Sequence, residues 1–214
     1  MTNTDIASLR KNYTRDGLSD EVIGRDPVSL FRTWIDEAVK SEVTEPNAMT
    51  LCTVRPDGRP NSRTVLLKGV EEESIHFYTN YNSQKASELE QHPQASVTFW
   101  WPELERQIRL SGTVQKLPDE VSADYFKSRP RESQLGAWAS DQSSDIASRA
   151  LLQQKAEEVE RRYEGREVPK PPHWGGFAIR IEEIEFWQGR PGRLHDRIAF
   201  WKEGGSWHSK RLQP

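Results

Sequence analysis

After Pro27 the apolar residues Val28, Phe31, Ile35 and Val39 recur at near-helical spacing, which predicts a helix opened by the proline and running to about Lys40. Beyond it the pattern shifts to short runs bounded by turn residues. Strands are predicted over 48–55, 61–70, 74–79, 95–101, 106–116, 176–188, 193–202 and 207–211. Helices are predicted around 5–13 and over 83–91, 118–127 and 144–163, the one at 83 capped by Ser83 or Asn82. Pro56-Asp57-Gly58-Arg59 joins the first two strands into a hairpin, and Arg190-Pro191-Gly192 and Gly204-Gly205 mark later turns. Strands dominate, several are hairpin-linked, and helices are inserted among them without alternating with each one. The expected fold is mainly β with added α-helices, an antiparallel barrel or closed sheet with helices outside, not a doubly wound parallel sheet. Residues 1–25 are polar and are expected to form a mobile N-terminal segment; residues 26–214 are expected to form a single domain.

Composition narrows the function classes. The chain is only 34% hydrophobic and 29% charged over 214 residues, so a buried dimer interface would add to a modest core. Eight Trp in so polar a chain point to a core, an interface or a ligand. A net charge of −3 argues against a general nucleic-acid binder. Yet the cations cluster at Arg63 and Lys68, at Arg129 and Arg131, and at Arg190, Arg193 and Arg197, which suggests anionic small molecules. Cys52, the single cysteine, precludes an internal disulfide and fits a reducing compartment. With no secretory leader, no transmembrane run and no metal-ligand spacing, the protein is expected to be cytoplasmic, without membrane or nucleic-acid partners and without a metal.

Four segments carry candidate chemistry. Arg193, His195 and Arg197 are two residues apart, so on a strand they share one face, with Leu194, Ile198 and Phe200 on the core face. Such a cationic row is easiest to maintain beneath an anionic or electron-rich ligand. Arg63 and Lys68 are an odd number apart and face opposite sides of a regular strand, unless a bulge or strand end intervenes; they serve two anions, or one of them is solvated. In Phe77-Tyr-Thr-Asn-Tyr-Asn-Ser-Gln-Lys85 a strand ends in hydroxyls and amides at a helix N-terminus, which suits a phosphate. Tyr125 and Arg129 are stacked four apart on a helix, and Pro130 both disfavours its continuation and starts a new one; with Ser133 they form a second candidate phosphate pocket.

Together these segments resemble the pyridoxine/pyridoxamine 5′-phosphate oxidase family, from Leu9-Arg-Lys-Asn-Tyr13 to the terminal Arg-Leu-Gln-Pro214. The most specific pieces are Arg-x-Val-Leu-Leu-Lys68, Phe-Tyr-Thr-Asn80, Ser-Arg-Pro-Arg-x-Ser-Gln-x-Gly-Ala-Trp138, Trp-Gly-Gly-Phe177, and Glu-Phe-Trp-Gln-Gly189 with Arg-Leu-His-Asp-Arg197. The resemblance implies a split β-barrel that binds FMN at a homodimer interface. It implies that Arg63 and Lys85 hold the FMN phosphate with Gln84, Gln142 and Ser143 nearby. Thr64, Val65, Leu66, Leu67, Lys68, Tyr78, Thr79, Gln107, Trp187 and Arg197 would complete the cofactor site. Lys68, Tyr125, Arg129 and Ser133 would hold the substrate phosphate; Arg193, Leu194 and His195 would face the substrate ring, with Arg193 and His195 catalytic, and Arg10 and Tyr13 would close over it.

The implied reaction oxidises pyridoxine or pyridoxamine 5′-phosphate to pyridoxal 5′-phosphate and reduces dioxygen to hydrogen peroxide. FMN carries the redox chemistry while the protein binds, orients and tunes. Two positions depart from the family pattern: Gln84 stands where Arg is common, removing one charge from the cofactor phosphate, and Glu45 stands where relatives can carry Asp. The rival readings are a flavin reductase, which would not need the Tyr125/Arg129/Ser133 pocket, and a non-catalytic carrier, which could keep every phosphate contact.

Overall fold

The computed structural model describes residues 5, 6, 9 and 12–214; Arg10 and residues 7, 8 and 11 of the helix expected at 5–13 lie outside the described residues, and Asn12 and Tyr13 are not helical. The elements are α1 (Pro27–Lys40), β1 (Ala48–Val54), β2 (Pro60–Leu66), β3 (Gly69–Glu71), β4 (Ser74–Asn80), α2 (Gln84–Gln91), β5 (Gln94–Trp101) and β6 (Arg106–Lys116). There follow α3 (Asp119–Ser128), α4 (Arg131–Ala139), α5 (Arg149–Arg162), β7 (Trp174–Gln188), β8 (Asp196–Glu203) and β9 (Ser206–Leu212). Hydrogen bonding runs in the order β2-β1-β5-β6-β7-β4-β3, with β8 pairing β7 and β9. The fold is mainly antiparallel β with added helices, and the strand path has two ends instead of closing into a ring among the described residues. No helix among them is long and apolar enough to cross a membrane.

The chain divides into two compact units. The first comprises Met1–Ala48, Thr98–Leu110 and Glu182–Pro214; the second comprises Met49–Val97 and Ser111–Ile181. β7 contributes to both: Trp174–Arg180 pairs with β4, and Glu183–Gln188 pairs with β8.

In the first unit, α1 starts where Asp26 accepts a hydrogen bond from the Ser29 N–H and Pro27 supplies a preset first-turn φ. Its buried stripe is Val28, Phe31, Trp34 and Ala38; Val39, expected on that face, falls at its edge and is 58% exposed. Phe31 packs on Phe99 and Trp34 on Phe186, with Ile184, Ile198 and Phe200 completing the core. Each such side chain contributes about 1.5–3 kcal/mol by burial. The segment before α1 is tied down by backbone amides: Thr14 and Arg15 donate to Glu105, Leu18 to Asp196, and Gly24 to Ser209.

The second unit is centred on Leu51, Ile75, Phe77, Val97 and Ile179, all fully buried. A second apolar cluster of Phe126, Val168 and Trp174 is wrapped by Tyr78, Tyr125, Leu135, Trp138 and Tyr163.

Three sequence expectations are corrected. The return strand 61–70 breaks after Leu66: Leu67 turns into the core, and the chain rejoins β4 as β3 once the Lys68 N–H donates to the His76 carbonyl. The helix expected from 144 begins only at Arg149, because Ser143 has a left-handed φ of 75° and the Ser148 hydroxyl caps the Leu151 N–H. The strand expected from 193 begins at Asp196. Gly192 and Arg193 have φ of 66° and 64°, so the chain coils through 191–193 where an extended row was expected, and Leu194 is 73% exposed instead of facing the core.

Candidate active site

The second unit contains a pocket of about 1170 Å³ whose lining includes Arg63, Lys68, Lys85 and Arg129. No Asp or Glu is among its described lining residues. Four cations without a lining carboxylate, on a chain of net charge −3, mark it as an anion site. The parity argument does not separate Arg63 from Lys68, since β2 ends between them and both reach the same pocket.

One end of the pocket is built from β2, the end of β4 and the first turn of α2. Arg63 donates from Nη2 to Glu88 (3.0 Å) and from Nη1 to the hydroxyl of Thr53 and the carbonyl of Leu51 (3.4 Å). Glu88 is 1% exposed and also takes hydrogen bonds from Thr53 and Asn61. Burial alone would raise its pKa, but the hydrogen bonds from Thr53, Asn61 and Arg63 outweigh it and hold the carboxyl below its ordinary value. Lys85 is 7% exposed, and its ammonium meets only hydroxyls in these contacts, Thr79 Oγ1 at 3.1 Å and Ser83 Oγ at 3.4 Å. Its pKa is pushed down to about 8, first by burial and then by the Arg63 charge. Gln142 accepts from Thr79 at 3.0 Å, and Gln84 and Ser143 line the same end. Ser83 is the N-cap of α2 without a side-chain cap bond, so the amides of the first turn keep their capacity for an anion.

Another part of the wall comes from the α3–α4 junction. Arg129 ends α3 in an extended conformation, so it is a cap residue and not the helical neighbour of Tyr125 that the spacing suggested. Its guanidinium lies 4.6 Å over the Trp174 ring and 5.5 Å from that of Phe126. Its Nη1 is buried with no hydrogen-bond partner among the described residues, a costly state unless an anion completes it. Tyr78 stacks on Tyr125 at 4.0 Å and on Trp174 at 5.4 Å. Ser133, in the first turn of α4, lines the pocket with Thr64, Val65 and Leu66; Leu67 does not.

The remaining candidates sit in the first unit. Trp187 lies opposite Arg197 across the β7–β8 ladder, and the buried residues of these strands, Phe186 and Ile198, point the other way. On β6, Gln107 alternates with buried Ile108 and shares the face of Arg109, which pairs with Glu185. Gln107, Trp187 and Arg197 therefore share one face of this part of the sheet. The Arg197 fork is satisfied by both oxygens of Glu185 (2.9 and 3.1 Å) and by the Gln213 carbonyl. His195 packs against Trp187 (4.6 Å) and Tyr13 (5.6 Å). Its Nδ1 accepts the Arg190 N–H at 3.1 Å, which leaves the proton of the neutral ring on Nε2. Burial, then the Arg193 charge, lowers its pKa. Arg193 and Leu194 are exposed.

Sequence reasoning missed Glu88 beneath Arg63, Glu185 beneath Arg197, and Trp174 beneath Arg129. Only Trp174 left a trace: in Trp-Gly-Gly-Phe177, a Cβ on Gly176 would come within 2.7 Å of the Tyr78 ring, so the glycine is demanded by the close packing beside the pocket.

Residues 35–163 match the family model described as Pyridoxamine 5′-phosphate oxidase, and residues 174–214 match that described as Pyridoxine 5′-phosphate oxidase C-terminal dimerisation region. A pyridoxine/pyridoxamine 5′-phosphate oxidase of Rubrobacter xylanophilus is 52% identical over 98% of this chain and 97% of its own. One from Synechocystis is 48% identical over the whole of both chains. Among solved structures, PhzG from Burkholderia lata in complex with tetrahydrophenazine-1-carboxylic acid aligns with a TM-score of 0.89 at 28% identity, over 95% of this chain and 100% of that one. A pyridoxamine 5′-phosphate oxidase-related, FMN binding protein from Nostoc punctiforme shares the fold, with a TM-score of 0.71 at 17% identity over 90% of this chain and 100% of that one. With both halves of the chain matched, and with half of its residues identical to oxidases of the same length, this chain belongs to the pyridoxine/pyridoxamine 5′-phosphate oxidase family.

Proposed function

We propose that the protein is an FMN-dependent oxidase that converts pyridoxine 5′-phosphate or pyridoxamine 5′-phosphate to pyridoxal 5′-phosphate, with dioxygen reduced to hydrogen peroxide. The observation that carries this reading is one pocket lined by four cations, Arg63, Lys68, Lys85 and Arg129, enough for two phosphates, with no carboxylate in its described lining. Two phosphates in one pocket are what a phosphorylated cofactor and a phosphorylated substrate require. The volume, just above the roughly 300–1,000 Å³ usual for a single ligand, also suits two. The residues fit FMN: buried Lys85 needs an anion more than its hydroxyl neighbours supply, and Arg63 is held beside it by Glu88. When bound, FMN supplies the acceptor for the hydride equivalent leaving C4′ of the substrate, and dioxygen takes up the electrons.

The residues of the chain supply the rest. Arg129, Lys68, Tyr125 and Ser133 would bind the substrate phosphate and fix the position of the ring. Neutral His195, a donor at Nε2, and the Arg193 cation would orient the ring and favour the ionised 3-oxygen; their assignment rests on the family motif. The left-handed φ of 64° at Arg193, costly for a side chain of this size, supports a functional placement. As part of this reading the protein is a cytoplasmic homodimer. The test is to incubate the purified protein with pyridoxine 5′-phosphate in air and measure aldehyde and peroxide together. Equal yields of both support the oxidase; tight binding of both ligands without either product would make it a carrier.

A further inference from the structure

Glu105 stands apart from the residues assigned so far. It closes the turn between β5 and β6, is 4% exposed, and adopts a left-handed φ of 54°. Burying a carboxylate costs several kcal/mol unless hydrogen bonds replace its water. Here they come from far along the chain: Oε2 accepts the N–H of Thr14 at 2.9 Å and of Arg15 at 3.1 Å. The backbone oxygen of the same residue accepts the Gly189 N–H at 2.7 Å and Gln188 Nε2 at 3.2 Å. One residue thus holds the chain just after Tyr13 with its side chain and the chain just after Trp187 with its main chain.

Between those two anchors lies the Tyr13 ring, edge-on to Trp187 at 5.7 Å and to His195 at 5.6 Å. The fit is tight. A Cβ on Gly189 would lie 2.8 Å from Tyr13 Cγ and 3.1 Å from Glu105 Cβ, so any side chain there displaces the ring or the turn.

We propose that Glu105 is a positioning residue whose buried carboxylate holds the Thr14–Arg15 backbone so that Tyr13 stays packed over His195 and Trp187. The inference rests on the reading of His195 as a substrate-ring contact. It assigns to Glu105 the retention of substrate and not the redox step: a latched Tyr13 covers the imidazole face, and an unlatched one leaves it open to water. A carboxylate serves because both amides point at a single oxygen, and two charge-assisted bonds to one acceptor fix the local backbone more firmly than neutral ones.

The test uses the FMN-loaded enzyme and pyridoxine 5′-phosphate. Glu105→Ala is expected to raise KM about tenfold, with kcat changed less than about twofold and FMN content at the wild-type level. Glu105→Gln, which keeps an acceptor oxygen, is expected to recover most of that loss. Gly189→Ala, which crowds Tyr13 most closely and keeps the Glu105 carboxylate, is expected to raise KM in the same way. In combination with Tyr13→Ala, either change should add little, because all three remove one interaction. Full additivity with Tyr13→Ala, or an unchanged KM in a folded Glu105→Ala enzyme, would overturn the proposal. Should Glu105→Ala fail to fold, Gly189→Ala alone and with Tyr13→Ala decides by the same criterion. A wild-type protein that turned over no substrate would instead sink the oxidase reading, before any variant was compared.

Discussion

The arginines of the two units are used in opposite ways. In the first unit most of them are spent on the protein: Arg197 and Arg109 share Glu185, Arg211 bridges Asp20 and Asp196, and Arg106 binds Glu37 and Gln188. In the second unit the pocket cations are left with capacity to spare. Lys85 meets hydroxyls, Arg129 keeps a buried Nη1 unpaired, and a single carboxylate, Glu88, sits behind Arg63. Both regions are rich in guanidinium groups, so sequence clustering alone does not separate them. What separates them is whether the protein itself completes the hydrogen bonding. A buried donor that the fold leaves open is a donor held for a ligand. Arg193, exposed and with a left-handed φ, falls in neither group.

The largest effect is expected where the two uses meet. Arg63 is both paired to Glu88 and exposed to the pocket, so Arg63→Ala should weaken FMN binding roughly 10- to 150-fold and also destabilise the fold by on the order of 3 kcal/mol, since Glu88 is left buried without its cation. Adding Glu88→Gln should restore much of the stability and none of the affinity. Flavin titration alongside chemical denaturation separates the two losses. Recovery of FMN affinity in the double variant would mean that Arg63 acts only on Glu88.

Arg129→Ala should instead show its loss in the ligand alone. The KM for pyridoxine 5′-phosphate is expected to rise about 10- to 100-fold, with turnover falling less, because a remote phosphate contact acts in the ground and transition states alike. Stability should change by about 1 kcal/mol or less, as only the contacts with the Trp174 and Phe126 rings are lost. A variant that unfolded readily but bound substrate normally would move Arg129 to the structural group.

Much of this architecture was legible in the chain, for reasons that also explain the failures. Pro27 states a helix start through local chemistry, and Pro56-Asp57-Gly58-Arg59 states a turn, so the start of α1 and the turn of the first hairpin fell where expected. Strand parity failed at Lys68 and again at Arg193, because both arguments assumed that an extended run continues. A positive φ at arginine leaves no sequence mark, unlike one at glycine. The cations of the site could be picked out by motif. The buried carboxylates could not: nothing marks Glu88, Glu105 and Glu185 among 33 acidic side chains, and only the tertiary fold buries them.

A smaller and graded effect is expected from Lys85. Its pKa of about 8 without FMN reflects burial first and the Arg63 charge second, with Glu88 opposing. A phosphate beside it must raise that value. FMN binding is therefore at full strength below about pH 8 and weakens as the pH rises through 8, where Lys85 of the FMN-free protein loses its proton. The loss approaches tenfold per pH unit and ends where the complex itself deprotonates. Flavin affinity that stayed flat from pH 7 to about 9.5 would show that Lys85 does not touch the phosphate.

The smallest effect belongs to Arg109, and it tests the paired side of the comparison. Arg109 donates to Glu185 Oε2 at 2.9 Å, yet its side chain is 55% exposed. Glu185 also receives Arg197 through two bonds, so removing Arg109 leaves the buried carboxylate still matched to a cation. An exposed pair of this kind contributes about 0–1 kcal/mol, since water and salt screen the attraction and the long side chain loses freedom in making it. Arg109→Ala should therefore lower stability by no more than about 1 kcal/mol, and raising the salt concentration should shrink the difference. FMN affinity and the KM for pyridoxine 5′-phosphate should both stay within about twofold of wild type, a change of under about 0.5 kcal/mol. Charge alone would predict otherwise, for Arg109 shares a sheet face with Gln107, Trp187 and Arg197. If Arg109→Ala weakened FMN as strongly as Arg63→Ala does, the face would be acting as a field of positive charge, and the distinction between spent and unspent cations would not hold.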